Sequence, residues 1–187
     1  MKNLILIGGA PMAGKSTVGV ELASRLKRAC LSTDDIGAAL QTVAAIDPMR
    51  GMDYKRYYAE TPPDRQIKDV LEYHRWVEPA LARLSAEHSA WGSPLVMEGW
   101  ALYPGHVLPL LNENAAAVWL IAKDGLLEKR MAGASFLDNS EAARNYLLRS
   151  KWHNGYLLEQ CRAAGAKTIE IDGGDSAQAL ADRILSL

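Results

Sequence analysis

The chain has 187 residues, 49% of them hydrophobic, with a formal net charge of −1 from 21 basic and 22 acidic side chains. That length fits one domain, and that composition buries a full core, while the near-neutral balance lacks the basic footprint of a nucleic-acid binder. Cys30 and Cys161 lie far apart and outside any metal-ligand spacing, which argues against a disulfide framework or a zinc site and for a reducing, cytoplasmic setting.

Residues 1–7 do not read as a signal peptide, and no apolar run reaches the ~20 residues needed to span a bilayer. The first strand is predicted at Leu4–Ile7. Directly after it, Gly9-Ala10-Pro11-Met12-Ala13-Gly14-Lys15-Ser16-Thr17 matches G-x-x-x-x-G-K-[ST], in the strand-to-helix context that the pattern requires. The residue types follow from the charge they must hold. A triphosphate needs many donors on backbone that can approach closely, which glycines permit, at the partially positive N-terminus of a helix. The motif therefore predicts a nucleoside triphosphate site: Gly9, Ala13 and Gly14 in the loop, Lys15 on the β- and γ-phosphates, Ser16 on Mg²⁺ and Thr17 adding a phosphate contact. A helix-capping glycine turn with an incidental lysine is the plainer alternative.

Val18, Leu22 and Leu26 mark the buried side of the first helix, and Ala29–Ser32 is the second strand candidate. Asp34 and Asp35 follow it. In an open α/β sheet such carboxyl ends deliver functional groups, and a carboxylate can orient an acceptor hydroxyl or take its proton. Asp34 is the first choice for that role, against a reading in which Thr33 or Asp34 caps the next helix. The stretch Asp47–Gln66 breaks the pattern, because Pro48, Gly51, Pro62 and Pro63 punctuate a run holding Tyr54, Tyr57, Tyr58 and the bases Arg50, Lys55, Arg56 and Arg65. It reads as an inserted loop or irregular helix, either contacting an anionic acceptor, with Arg56 the candidate, or a solvated surface excursion.

Val70, Val77, Leu81 and Leu84 predict a long helix before the third strand, Leu95–Met97, whose end carries Glu98. Glu98 is expected to hold Mg²⁺ through a water or to bond an acceptor, with a loop acid as the alternative. Trp100, Tyr103 and His106 are candidate pocket lining or packing groups, and His74, His88 and His153 show no ligand spacing. Further strands are predicted at Ala116–Ile121 and Thr168–Ile171. Asn139 or Ser140 is expected to cap a helix ending near Gly165, with Glu141 in its first turn, and the last helix is expected to bury Ala177, Leu180, Ala181 and Ile184. Alternating strands and helices of this kind predict a three-layer α/β/α sandwich around a five-stranded parallel sheet.

These residues resemble the P-loop kinases of the nucleoside monophosphate kinase-like type. Ser32-Thr33-Asp34-Asp35-Ile36, Trp76-Val77-Glu78-Pro79-Ala80-Leu81 and Val96-Met97-Glu98-Gly99-Trp100-Ala101-Leu102-Tyr103-Pro104-Gly105 look most like 2-phosphoglycerate kinase-type proteins. The resemblance covers most of the chain and implies one kinase domain over residues 1–187, with strand order 2-3-1-4-5, an acceptor-binding insertion at 47–66 and a lid region at 123–150. It also implies ATP and Mg²⁺ as cofactors and Asp34 as acceptor base, with Asp35, Arg56, Glu98, Trp100 and Arg144 around the acceptor. Arg130 would pack on adenine and assist transfer, Arg144 and Arg149 would meet the migrating phosphoryl group, against a plainer reading in which they are solvated or paired at i, i+4 on their helix, and the loop Asp172-Gly173-Gly174-Asp175, through Gly173, would flank the base. Met131–Asn139 lacks the arginine-rich lid of many monophosphate kinases. A small anionic metabolite is the expected acceptor, with no nucleic acid or membrane partner and a monomer or homodimer. The rival readings are a kinase of nucleoside monophosphates or polynucleotide 5′ ends, and a nucleotide-binding regulatory module that transfers nothing.

Overall fold

Strand β1, Leu4–Gly9, is apolar at every position up to its glycines because both of its faces are covered. Leu4 and Leu6 enter one core with Val77, Leu81, Met97, Trp119 and Leu157, whereas Ile5 and Ile7 enter the other with Val18, Leu22, Leu120, Leu180 and Ile184. The period of two along the strand thus feeds two helical layers. The structure, a computed structural model, describes residues 2–44, 47–134 and 140–187.

The remaining strands are β2 (Ala29–Ser32), β3 (Leu95–Gly99), β4 (Ala115–Ala122) and β5 (Thr168–Ile171). All neighbours pair in parallel, in the order β2-β3-β1-β4-β5, the order expected. Glu98 of β3 stands in register with Ile7 on one side and Ser32 on the other, which brings three carboxyl ends level.

Helices α1 (Lys15–Leu26) and α8 (Ala177–Leu185) cover one face, and α4 (Pro63–Ala90), α5 (Pro104–Val107) and α7 (Ser140–Ala164) cover the other. Helix α2 (Thr33–Ala44) follows β2, and α6 (Leu126–Ala132) follows β4. Helix α7 ends where Gly165 turns to φ 63°, as its sequence suggests. Of the expected caps, Asn139 and the Ser140 side chain lie outside the described residues, as do residues 135–139 of the lid region. Ala177 is half-buried rather than buried, because it opens α8 at its exposed end.

The stretch expected to be loop or irregular helix is more regular than its prolines suggest. Asp53 caps α3 (Tyr54–Glu60), its carboxylate accepting from the Arg56 N–H at 2.9 Å, and Pro63 is no breaker but the first residue of α4, where a missing N–H costs nothing. Tyr57 and Tyr58 turn inward onto α7, where Tyr58 meets Tyr146 edge to face at 5.0 Å and the Asn145 amide donates to the Tyr58 carbonyl at 3.0 Å. Among the described residues no helix is long and apolar enough to cross a membrane.

Candidate active site

The motif loop folds as its glycines require. Gly14 sits at φ 88°, a left-handed conformation, and immediately precedes α1, whose first N–H groups have no intrahelical partner, while the Ala13 N–H is held by the Ala10 carbonyl at 3.1 Å. Above it lies Arg130 of α6, whose guanidinium donates to the Met12 carbonyl at 2.5 Å. A cavity of about 450 Å³ opens there, lined by Met12, Gly14, Lys15, Ser16, Thr17, Arg130 and the Asp175–Ala177 segment after β5. Ala13 is wholly buried and Gly9 lies where the strand ends, so both shape the loop from beneath. Gly173 adopts φ 88° against Leu126, beside the cavity rather than in its lining.

Lys15 is only 7% exposed, and its ammonium turns back on the loop to donate to the Ala10 carbonyl at 2.9 Å. Burial pushes it down to about 8, against the opposing pull of Glu98 and Asp34 and with Arg149 adding to the lowering. Glu98, 4% exposed, lies beneath the loop with the Ser16 and Ser32 hydroxyls alongside, and burial pushes its carboxyl up. A divalent cation fits these residues: hydroxyl and carboxylate oxygens are the donors that Mg²⁺ prefers, and a buried carboxylate favours a cation beside it.

A second cavity, about 400 Å³, shares Met12, Lys15 and Ser16 with the first and extends the other way. Beyond the loop its walls come from six separate parts of the chain: Asp34 and Ala38 of α2, Pro48 and Met49 before α3, Tyr54, Tyr57 and Tyr58 of α3, Asp69 and Tyr73 of α4, Trp100 after β3, and Tyr146 and Arg149 of α7. Asp34 receives the Trp100 indole N–H at 2.5 Å. Asp69 is buried and ties the wall together, taking a hydrogen bond from the Tyr57 hydroxyl at 3.0 Å and ion pairs from Arg50 and Arg65 at 2.8 Å each.

Arg149 is the unusual group. It is 6% exposed, with its guanidinium over the rings of Tyr146, Trp100 and Tyr58 at 4.9, 5.1 and 5.2 Å, and it has no ion-pair partner among the described residues. Ring faces return about 0.5–2 kcal/mol each to a desolvated cation, whereas burying an unpaired ion costs several.

Not every residue expected at the acceptor lines this cavity. Arg56 pairs with Glu60 at 3.0 Å and Arg144 with Glu141 at 3.3 Å, both in solvent, because each stands on the outer side of its helix. Asp35 is exposed outside the lining, one residue around the helix from Asp34, and Glu98 lies under the loop rather than in the acceptor wall. Conversely, Tyr73, Asp69 and Tyr146 were not singled out from sequence. One signal was available: Tyr146, Arg149 and His153 recur at helical spacing, which places an arginine on the inner face of α7.

No protein-family model matches the sequence. By sequence the chain is similar to a 2-phosphoglycerate kinase of Thermococcus kodakarensis, 26% identical in an alignment of 181 residues that covers 89% of this chain and 60% of that protein. It is also similar to a tRNA dimethylallyltransferase of Rhodospirillum centenum, 30% identical over 106 residues, which are 54% of this chain and 32% of that protein. The chain thus spans less than two thirds of the length of either. By structure it is similar to the shikimate kinase of Acinetobacter baumannii solved with shikimate, at a TM-score of 0.58 and 19% identity over 100% of this chain and 92% of that one. A sugar kinase from Janibacter sp. gives 0.57 at 16% identity, over 100% and 94%. The fold is the one that these two kinases share.

Proposed function

We propose that the protein is an ATP- and Mg²⁺-dependent kinase that transfers the γ-phosphoryl group to a hydroxyl of a small anionic metabolite. The observation that carries this reading is the meeting of two cavities on Lys15 and Ser16, one backed by loop amides and Arg130, the other holding a carboxylate and an uncompensated guanidinium. Triphosphate on the first side and acceptor on the second would meet at the lysine.

In this mechanism Lys15 and the loop N–H groups hold the phosphates, and Arg130 closes over them from α6. Mg²⁺, when bound near Ser16 and Glu98, supplies charge neutralisation on the phosphate oxygens. Arg149 takes the acceptor's anionic group and the aromatic wall excludes water. Asp34 then orients the acceptor hydroxyl: its oxygen bonds to the γ-phosphorus as the bond to the β–γ bridging oxygen breaks, ADP leaves, and the hydroxyl proton passes to the Asp34 carboxylate and on to solvent. A single positively charged anchor in a cavity this small favours a compact acceptor over a polynucleotide end.

The test is transfer from labelled ATP to a panel holding 2-phosphoglycerate, shikimate, neutral sugars, nucleoside monophosphates and a 5′-hydroxyl oligonucleotide. Label on an anionic small alcohol supports the reading; label on the oligonucleotide alone, falling steeply with salt, replaces it with a polynucleotide kinase. Nucleotide binding without transfer to any acceptor favours a regulatory module.

A further inference from the structure

Asp34 is an exposed side chain in the first turn of a helix, a position with several rotamers open to it. What holds it is Trp100. The indole N–H donates to its Oδ1 at 2.5 Å, a bond strengthened by the acceptor's charge. One carboxylate oxygen is thereby occupied and the other left for a substrate hydroxyl.

Trp100, half-buried at the cavity wall, is itself held by its neighbours. Its ring stacks on Tyr73 with an interplanar angle of 8° and centroids 5.3 Å apart. The Tyr73 hydroxyl in turn presses into α2 at Gly37, where an added Cβ would stand 1.7 Å from it. Gly37 and Asp34 are three residues apart on one helix, so α2, Tyr73, Trp100 and Asp34 form a closed ring of contacts. Behind the indole, His74 and His153 meet it edge to face at 4.5 and 5.7 Å. Both imidazoles are buried and held neutral, His74 pushed down to about 3 by burial, with Arg149 and His106 adding to the lowering. They supply a wall with no charge to draw the indole away. Trp100 also carries the Arg149 guanidinium over its ring, at 5.1 Å. One side chain touches both the group that would meet the acceptor's hydroxyl and the group that would meet its anion.

We propose that Trp100 is a positioning residue that sets the spacing between the acceptor's anionic group and its reacting hydroxyl, holding Asp34 through its indole N–H and Arg149 against its ring. This rests on the kinase reading, and it deepens it: an acceptor is selected by the distance between two groups rather than by pocket volume. The indole acts through Asp34 and Arg149, so its loss displaces a base rather than removing one. A misplacement of about 1 Å at a reacting centre costs about 10²-fold in rate.

The experiment uses protein labelled with ¹⁵N at its five tryptophan indoles, with Trp100→Phe identifying the Trp100 resonance by its disappearance. Asp34→Ala is expected to move that resonance upfield and leave the other four in place, and sulfate, as the anion probe, to shift it in the wild type but not in Arg149→Ala. A resonance indifferent to both substitutions overturns the proposal, whatever the protein's activity. With whichever panel acceptor takes up label, Trp100→Phe, which keeps a ring between Tyr73 and Arg149, is expected to lower kcat by about 10²-fold with the acceptor KM within about threefold. Trp100→Leu, which loses the ring face as well, should also raise KM. Wild-type turnover in Trp100→Phe, or an equal loss of nucleotide binding and melting temperature, overturns it. If no acceptor is labelled the kinase reading fails by itself, and the indole resonances still decide whether Trp100 holds both groups.

Discussion

The two sides of the phosphate loop are built in opposite ways. The nucleotide side is built around the backbone of nine consecutive residues, Gly9 to Thr17, with one arginine laid across it and Asp175 and Ala177 at its edge. The acceptor side is made mainly of side chains from α2, α3, α4, α7, the turn after β3 and the turn before α3, and much of it is aromatic. Backbone amides at a helix start bind any polyphosphate, so the first side needs little more than a turn. The second must recognise one molecule, and that takes groups whose spacing the whole fold sets. The two regions should therefore respond differently to substitution.

The largest effect is expected where the two sides meet. Lys15→Ala removes the ammonium common to both cavities and should lower transfer by at least about 10³-fold and weaken nucleotide binding, with the fold intact by circular dichroism. Retained tight binding of nucleotide in this variant would break the comparison, because the loop amides alone would then suffice. Asp34→Asn acts on one side only. It should lower kcat by about 10²–10⁴-fold while the nucleotide dissociation constant, measured by calorimetry, stays within about twofold.

The same contrast explains what could be read in advance. The strands, the phosphate loop and the place of Asp34 were legible because each is a local signal, an apolar run, a glycine-lysine pattern, an acid at a strand end, whereas the strand order came from the family resemblance. Arg149 and Arg144 look alike in sequence, five residues apart on one helix, yet one is buried against three rings and the other pairs with Glu141 in water. Helical spacing with Tyr146 and His153 puts Arg149 on the inner face of α7, and the packing of that face on α3 and Trp100 buries it. Arg65 lies four residues before Asp69 on α4, a helical spacing, but the other partners, Trp100 and Gly37 for Tyr73 and Tyr57 and Arg50 for Asp69, are set beside them by the fold and not by any repeating spacing in the chain.

Arg149 offers an intermediate test with two readouts of opposite sign. Arg149→Met replaces a buried, unpaired charge with an apolar chain of similar length. Melting temperature should rise, in line with the roughly 1–4 kcal/mol gained when buried ions give way to packed hydrophobic groups. The acceptor KM should rise by about 10–10²-fold, the value of a hydrogen-bonded charge, with nucleotide affinity unchanged at neutral pH. Arg144→Ala and Arg56→Ala should move neither quantity by more than about twofold, as exposed pairs contribute little. A lower melting temperature in Arg149→Met would mean that the aromatic box compensates the guanidinium fully and needs no anion.

The smallest effect is a pH dependence on the nucleotide side that the acceptor side controls. Burial holds the Lys15 ammonium at about 8, Glu98 and Asp34 pull it up, and Arg149 pushes it down. The charged form is the one that binds phosphate, so the sign is fixed. Below about pH 8 the ammonium is already charged and affinity should be flat. Above it the free protein has lost the proton that the complex needs, so affinity should fall, approaching tenfold per pH unit, with uptake of a proton on binding. Titrations with Mg·ADP at pH 7 and 9, each in two buffers of different ionisation heat, measure that proton. Arg149→Met should move the midpoint up by removing a like charge, and Asp34→Asn should move it down by removing an opposite one. Affinity that stays level through pH 9, or a midpoint that neither substitution moves, would show that the two sides share a lysine in space without sharing its charge.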